Sequence, residues 1–357
     1  MELPTWPYEG SPFHSGERLA QQRAGKREQM EGVGRRVVRG EMLEQHRLFF
    51  AQLPFMLAGA RTDDGGVWAT MLAGTPGFAH ALDPLQLRID APPLPGDPLD
   101  GALRDGAELG LLGIELPTRR RNRLNGVIAR RDAAGFTVQV RQSFGNCPRY
   151  IQQRELLPVH VPSEDAGVAQ PQVLDRLDHE AIALVRRADT LFIASHHSDP
   201  EAPHSGGADV SHRGGKPGFV RVDGDDTLVM PDFNGNAYFN TIGNLVASPR
   251  AGLLFVDWET GTLLHVAVRA EIVWEGPEVQ AYAGAERLVR MRVEQVIRRP
   301  GVLPLRGRLV SMSPVLAQTG EWPGNGSANR AANRAANGYA NGSAPAADHH
   351  RSPADHH

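Results

Sequence analysis

An internal repeat is the feature that most constrains how this 357-residue chain can fold. The tripeptide Pro76-Gly77-Phe78 recurs 141 residues later, and the apolar run at residues 110–115 recurs 142 residues later, at residues 252–257. Thr118 and Thr260 extend the second match in the same register. Because an ordered set of matches at nearly one period indicates a repeated structural unit, we expect two similar units in tandem.

The hydrophobic pattern predicts that both units are mainly β-sheet and that each opens with a helix. Apolar residues recur at helical spacing over residues 41–53 and 174–185, and a short apolar strand follows each, at 54–60 and 190–195. In the second unit, the turn sequences at residues 223–226 and 259–261 separate pairs of apolar runs, which is typical of hairpins. A short helix over residues 238–247 lies between these hairpins. This arrangement indicates a closed antiparallel barrel with flanking helices.

The repeat also sets the expected domain boundaries. Residues 1–40 form a polar N-terminal extension, whose helical pattern is interrupted by glycines and which we expect to pack on the surface. The first unit then spans residues 41–162 and the second spans residues 163–318. Residues 319–357 are rich in Ala, Asn, Gly and Ser and are expected to be a disordered tail, although its repeated Asp-His-His could bind a metal weakly.

Charge and composition argue against several classes of function. The net charge of -3 gives no electrostatic reason to expect nucleic acid or an anionic membrane as the partner. No run approaches the roughly 20 apolar residues of a membrane helix, and the N-terminus lacks the pattern of a secretory signal. The single cysteine, Cys147, excludes an intrachain disulfide and is expected to be structural. These features predict a cytoplasmic protein.

Several segments resemble those of one known family. In the second unit they are residues 211–219 (Ser-His-Arg-Gly-Gly-Lys-Pro-Gly-Phe), 234–245 and 248–255, and the first unit adds residues 119–126 and 146–152. They resemble the FMN-binding split barrels of the pyridoxamine 5'-phosphate oxidase-like superfamily, over roughly residues 41–315. The resemblance implies a mainly β fold with flanking helices, in which two tandem antiparallel split β-barrels form an intrachain pseudo-dimer with FMN between them.

The resemblance also implies which residues hold the cofactor. In that superfamily the flavin phosphate lies near the start of the short helix, where this chain has Asn240 and Thr241, whose amide and hydroxyl can donate to phosphate oxygens. A strand that lines the flavin corresponds to the segment around His212 and Arg213. The predicted cofactor-binding residues are Ser211, His212, Arg213, Asn234, Asn240, Thr241, Asn244 and His265.

Some of these residues have a second interpretation that the sequence leaves open. His212 and His265 are candidates for proton transfer, but a histidine on a strand can equally be a satisfied structural residue. Asn244 either contacts the cofactor or packs the helix against its surroundings. The arginine run at residues 119–123 is either a solvated face or reaches an anionic ligand.

A metal site is not expected. Four histidines cluster in the second unit, but prolines and glycines separate them and no pair has the i, i+4 spacing of a helical zinc site. They are His196, His197, His204 and His212.

For function, the resemblance implies an FMN-dependent oxidoreductase in which hydride moves at flavin N5 to or from an unidentified small molecule. NAD(P)H or a separate reductase would be the electron donor, since the chain has no Rossmann fingerprint of its own. Residues 305–314 lack the histidine of true pyridoxamine phosphate oxidases, so that activity is not expected. The alternatives are a non-catalytic flavin- or haem-binding redox or sensor module, and a split barrel that uses a deazaflavin as a diffusible co-substrate.

The duplication predicts one FMN per chain. Where the second unit has Asn240 and Thr241, the first has the proline-rich segment 91–98, and prolines have no N–H to donate to a phosphate. Two fused barrels also supply within one polypeptide the interface that superfamily members form as homodimers. The chain is therefore expected to act as a monomer built as a pseudo-dimer, or as a homodimer.

Overall fold

The computed structural model describes residues 5–161 and 170–323. The N-terminal extension holds two helices, α1 (Ser15–Arg23) and α2 (Arg27–Val37), which are separated at Gly25, where the backbone is left-handed with φ of 66°. The first unit follows with one helix, α3 (Glu44–Ala51). Its strands are β1 (Phe55–Arg61), β2 (Val67–Ala73), β3 (Ala79–Asp83), β4 (Gln86–Ile89), β5 (Glu108–Glu115), β6 (Arg120–Asp132), β7 (Gly135–Gly145) and β8 (Gln153–Pro158).

The second unit repeats this order of elements. Its helices are α4 (His179–Arg187), α5 (Asn240–Ala247) and the short α6 (Pro277–Gln280). Its strands are β9 (Gln172–Leu174), β10 (Thr190–His197), β11 (Gly207–Gly214), β12 (Arg221–Asp223), β13 (Thr227–Phe233), β14 (Arg250–Asp257), β15 (Thr262–Val273), β16 (Ala285–Arg299) and β17 (Leu305–Ser311). No helix within residues 5–161 and 170–323 is long and apolar enough to cross a membrane.

The two large sheets have the same topology, which confirms the predicted fold class. The first runs β2-β1-β5-β6-β7-β4-β3 and the second runs β11-β10-β14-β15-β16-β13-β12, and neighbouring strands in both are antiparallel. The registers also correspond: Leu112 lies opposite Arg123 across β5 and β6, and Leu254 lies opposite His265 across β14 and β15. Arg123 and His265 therefore occupy equivalent positions in the two barrels.

The repeated glycines mark where the two barrels touch. A Cβ atom at Gly110 would lie 2.6 Å from the Cα of Asp209 in the second barrel. One at the matching Gly252 would lie 2.4 Å from the Cα of Trp68 in the first. Only glycine allows backbones to approach so closely, and the two contacts are related by the pseudo-twofold axis. Around them a shared apolar core joins both barrels, with Leu57 and Leu112 from one and Phe192 and Leu254 from the other.

The N-terminal extension packs more deeply than the sequence suggested. Helix α1 crosses the start of α5 so closely that a Cβ atom at Gly16 would lie 2.2 Å from the carbonyl oxygen of Gly243. The side chain of Glu17 is buried at this crossing. We had expected a surface extension, whereas the structure makes α1 part of the second barrel's packing.

The C-terminal segment ties the units together. Strand β17 pairs with β8, so the end of the first unit and the end of the second form one ribbon. Trp322 belongs to the segment predicted as a tail, yet it is buried and its indole N–H donates to the carbonyl of Phe219 at 2.8 Å. Residues 324–357, which include both Asp-His-His sequences, lie outside the described residues.

Candidate functional site

An open cleft of about 260 Å³ lies between the two barrels. The first barrel contributes Arg121 and Arg123 from β6 and the segment after β7, and the second contributes β11, the end of β13 and the start of α5. Ala24 and Lys26 of the extension complete one edge. We call this space the inter-barrel cleft. Six predicted site residues line it: Ser211, His212, Arg213, Asn234, Asn240 and Thr241.

The start of α5 presents unused hydrogen-bonding groups to the cleft. Its N-cap is Phe239, which has a left-handed backbone with φ of 63° and provides no side-chain cap. The first-turn N–H groups of a helix have no acceptor within the helix, and the helix dipole favours an anion there. The hydroxyl of Thr241 is buried and has no hydrogen-bond partner within the described residues. A buried hydroxyl left in this state costs free energy, which a bound acceptor would recover.

Asn240 has a different role from the one expected. Its Oδ1 accepts a hydrogen bond from Nη1 of Arg123 at 2.6 Å, and its Nδ2 donates to Oε1 of Glu17 at 2.5 Å. The amide is therefore committed to protein partners rather than free for a phosphate, and it holds Arg123 in place at the cleft.

Glu17 is a residue that the sequence reasoning missed. Burial raises the pKa of its carboxyl to about 8, although hydrogen bonds from the His14 backbone and from Asn240 oppose that shift. His14 and Glu17 form a capping box at the start of α1. Histidine is not a usual N-cap residue, so the sequence gives no clear signal for this helix start or for the contact of Glu17 with α5.

Cations outnumber anions around the cleft. Arg123 pairs with Asp209 at 2.9 Å, while Arg213 and Arg287 share the carboxylate of Asp232 at 2.5 and 2.7 Å. Arg121 forms no ion pair within the described residues, and its Nε donates to the carbonyl oxygen of Cys147 at 2.8 Å.

The electrostatic setting of Arg121 makes it the most exceptional of these side chains. Burial, with the neighbouring cations Arg123 and Arg213, lowers its pKa to about 9. Arginine guanidinium groups normally stay charged far above this range, so the surroundings disfavour the cation. An anion in the cleft would reverse that penalty.

His212 faces the cleft as a neutral ring. Burial, followed by the charges of Arg121 and Arg213, lowers its pKa well below the usual value. Its ring packs edge-on against Phe192, with centroids 5.7 Å apart. Neither ring nitrogen has a hydrogen-bond partner within the described chain. A neutral imidazole offers one N–H donor and one acceptor, and both are available to a ligand here.

Asn244 and His265 do not line the cleft, which corrects their placement in the predicted site. Nδ2 of Asn244 donates to Oγ of Ser195 at 3.0 Å, so this residue packs α5 against β10. His265 is fully buried elsewhere on the barrel interface, where Nδ1 donates to the carbonyl oxygen of Ala69 at 2.9 Å. Burial lowers its pKa to about 4, so it is a neutral structural residue.

The arginines at residues 119–123 do not all have the same role, although the sequence offered a solvated face or contact with an anionic ligand as alternatives for the whole run. Arg121 and Arg123 point into the cleft, as expected for contact with an anionic ligand. Arg119 instead donates to the carbonyl oxygen of Ile151, and Arg120 lies over the ring of Phe49 at 4.6 Å. Because side chains alternate along a strand, one run serves both purposes.

The four histidines do not form a joint cluster. His196 pairs with Glu108 at 2.8 Å, His204 stacks on Tyr8 and His212 faces the cleft. His197 approaches two other groups that could ligate a metal, and the three have ligand atoms within 4.8 Å of one another: His14, His197 and Asp199. Nδ1 of His14 already accepts the helix-capping N–H of Gly16, so Nε2 carries the ring proton and His14 is a poor ligand.

Comparison with solved structures finds partial matches. They include HupZ of Group A Streptococcus, at 15% identity and a TM-score of 0.27, covering 38% of this chain and 98% of that one. A putative pyridoxamine 5'-phosphate oxidase from Lactobacillus delbrueckii matches at 18% identity and a TM-score of 0.27, covering 34% and 94%. An FMN-binding protein from Syntrophomonas wolfei matches at 12% identity and a TM-score of 0.25, covering 34% and 87%.

No family model and no curated protein matches the sequence. The matches cover 87–98% of the solved structures but only 34–38% of this chain. At these identities and TM-scores the matches carry no argument about this chain, and the chemistry of the cleft follows from its own residues. Within the described residues, the fold is two similar antiparallel barrel units in tandem, as the matching strand orders of the two large sheets show.

Proposed function

We propose that the inter-barrel cleft binds FMN and that the protein is a flavin-dependent oxidoreductase. One observation carries this proposal: a cationic cleft at a helix N-terminus contains an arginine without a carboxylate partner, and buried polar groups without hydrogen-bond partners, among residues 5–161 and 170–323. Native proteins rarely leave buried polar groups unpaired, so those that line a cleft are expected to meet a ligand or ordered water. The ligand that fits is one with an anionic end and several acceptors.

The phosphate of FMN matches the start of α5. Arg121 would supply the charge, the Thr241 hydroxyl a hydrogen bond, and the first-turn N–H groups further donors. Arg123 is held against this position by Asn240 and Asp209, so it adds charge without needing to move. A phosphate dianion would offset the excess of cations.

The rest of the cleft suits a flat, polar-edged ring. Its volume of about 260 Å³ lies just below the roughly 300–1,000 Å³ typical of small-molecule sites, and it is open to solvent, so part of the ligand would remain accessible to a substrate. Tyr150 and Phe233 stack at its rim with centroids 5.2 Å apart, and Arg149 holds Asn234 beside them at 2.8 Å.

When bound, FMN would supply hydride transfer chemistry, and the protein would bind, orient and tune the ring. His212 would donate a hydrogen bond from whichever ring nitrogen carries the proton, and would accept one at the other. Its low pKa keeps it neutral at physiological pH, so it would not add to the positive charge of the cleft. His212 also remains the candidate for exchanging a proton with a substrate.

The first test is spectroscopic. Purified protein is examined for flavin absorbance, the released cofactor is identified by mass, and stripped protein is titrated with FMN, FAD and a deazaflavin while fluorescence is followed. We expect saturable FMN binding at one per chain, followed by anaerobic bleaching with NAD(P)H or a chemical reductant and reoxidation by an acceptor.

Each other outcome is decisive. Binding of the deazaflavin but not of FMN would replace the proposal with the co-substrate alternative. Binding of FMN that cannot be reduced and reoxidised at useful rates would leave a non-catalytic flavin module. Failure of all three ligands to bind would overturn the proposal.

A further inference from the structure

A second position on the barrel interface is the pseudo-symmetric counterpart of the cleft. Gly59 of β1 lies opposite Ala69, and the equivalent Ala194 of β10 lies opposite Val210, so Ala69 and Val210 are equivalent residues. In the cleft, Nη2 of Arg123 donates across the interface to the carbonyl oxygen of Val210 at 3.0 Å. At the counterpart, His265, which is equivalent to Arg123, donates to the carbonyl oxygen of Ala69 at 2.9 Å.

The next residue along each strand continues the correspondence. Ser211 follows Val210 and lines the cleft, while Thr70 follows Ala69 and lies at the counterpart. Both positions carry a hydroxyl, and both hydroxyls donate to an aspartate. We call Thr70, Asp97, His265 and Arg299 the counterpart site.

Each site also contains a guanidinium, half-buried in the cleft and fully buried at the counterpart, and the two come from different strands. In the cleft it is Arg121, on β6. The residue of the second barrel that is equivalent to Arg121 is Leu263, which has no charge. Its neighbour across the sheet is Arg299 on β16, and Arg299 supplies the guanidinium at the counterpart. The two sites thus share a cation, a hydroxyl and a cross-interface hydrogen bond.

They differ in what neutralises the cation. Arg121 has no carboxylate partner within the described residues, whereas Arg299 is completely buried with Asp97, and their side chains are 2.8 Å apart. Nε and Nη2 of Arg299 also donate to the carbonyl oxygen of Pro95, at 3.0 and 2.8 Å. The Asp97 carboxylate further accepts from the Thr70 hydroxyl and from the backbone N–H of Leu99 at 2.9 Å.

We propose that the counterpart site is a second anion-binding site, which the chain occupies with its own Asp97 carboxylate. Asp97 lies on the segment between β4 and β5, in the same topological place as α5 between β13 and β14. The segment therefore delivers a covalently attached anion where the start of α5 leaves room for an external one. The interface then has one open anion site and one closed one, whatever ligand the open cleft takes.

The test removes the internal anion and offers a small replacement. Asp97→Ala leaves Arg299 buried without a counter-charge, which is expected to lower Tm by about 6 to 20 °C. Sodium formate carries the carboxylate that the variant lacks. We expect formate to raise the Tm of Asp97→Ala saturably and well beyond sodium chloride at equal ionic strength.

Two matched proteins complete the experiment. The wild type and the double variant Asp97→Ala/Arg299→Met, which removes both charges, are expected to respond to formate no more than to chloride. Equal formate and chloride effects on Asp97→Ala, or a formate effect of the same size in the double variant, would overturn the proposal.

If Asp97→Ala is insoluble, its refolding yield decides the question. Recovery in formate but not in chloride supports the internal-anion assignment. Failure in both salts, while the double variant folds, contradicts it. FMN titration of the wild type is a separate measurement, so failure of the flavin proposal would leave this result unchanged.

Discussion

Replacing Arg121 with methionine separates ligand binding from stability in one variant. The guanidinium lies in the cleft with no carboxylate partner in the described part of the chain, and methionine retains most of its length and apolar volume. A hydrogen bond to a charged group contributes about 1.5–3 kcal/mol, which corresponds to FMN binding that is about 10- to 150-fold weaker in Arg121→Met.

Stability should not follow affinity. Partial desolvation and the neighbouring cations Arg123 and Arg213 disfavour the charge of Arg121 in the folded state, so its removal offsets the loss of one hydrogen bond to the Cys147 carbonyl, which contributes about 1 kcal/mol. We therefore expect the free energy of unfolding of Arg121→Met, measured by urea titration, to stay within about 1 kcal/mol of the wild-type value.

The control is Arg141→Met, which changes the net charge equally. Arg141 pairs with Glu108 at 2.8 Å outside the cleft and should leave FMN affinity nearly unchanged. The assignment of the phosphate to Arg121 would be refuted if Arg121→Met bound FMN as tightly as the wild type, or if Arg141→Met lost as much FMN affinity as Arg121→Met.

Three further predictions concern the same region. Thr241→Val removes a buried hydroxyl that has no hydrogen-bond partner among the described residues, so Tm should hold or rise while FMN affinity, measured by fluorescence titration, falls about 2- to 12-fold; a lower Tm would contradict this. Gly243→Ala places a Cβ 2.6 Å from the Glu17 backbone and should cost about 1–3 kcal/mol in urea unfolding, whereas Gly101→Ala, which has open space, should be neutral. The folded-state pKa of Glu17 is raised to about 8, so the folded state retains a proton that the unfolded chain releases near its ordinary value, and stability falls as pH rises from about 5 to 8. In Glu17→Gln this fall should be smaller by up to about 1.4 kcal/mol per pH unit, and identical slopes in both proteins would rule the assignment out.

The sequence predicted the fold well because the repeated residues include those that the contact between the two barrels requires. Gly110 and Gly252 are where the two backbones meet most closely, so they recur for a physical reason, together with the apolar strands on which they lie. Hairpin turns and the helix before the repeated strand are local signals, and the structure places them within a few residues of the predicted bounds.

The site was predicted less completely, because it is assembled across the interface. The cleft combines β11 and α5 of the second barrel with β6 of the first. In the second barrel the strand equivalent to β6 is β15, and its residue His265 lies at the counterpart site, not in the cleft. The 142-residue repeat already makes Arg123 and His265 equivalent, and this equivalence could have indicated that they belong to different sites. Glu17 lies outside the repeat and reaches Asn240 through a contact 223 residues apart in sequence, which no local pattern encodes.

The fusion of the two barrels has an evolutionary consequence. In a symmetric homodimer every substitution is present in both subunits, so a side chain that fills one groove also fills the other and abolishes ligand binding at both. In this chain the equivalent positions are encoded separately, and one of them could acquire Asp97 and Arg299 without affecting Arg121. Because both barrels lie in one chain, which the β8–β17 ribbon also ties together, the Arg299–Asp97 pair can close one groove while the proposed ligand site in the other groove stays open.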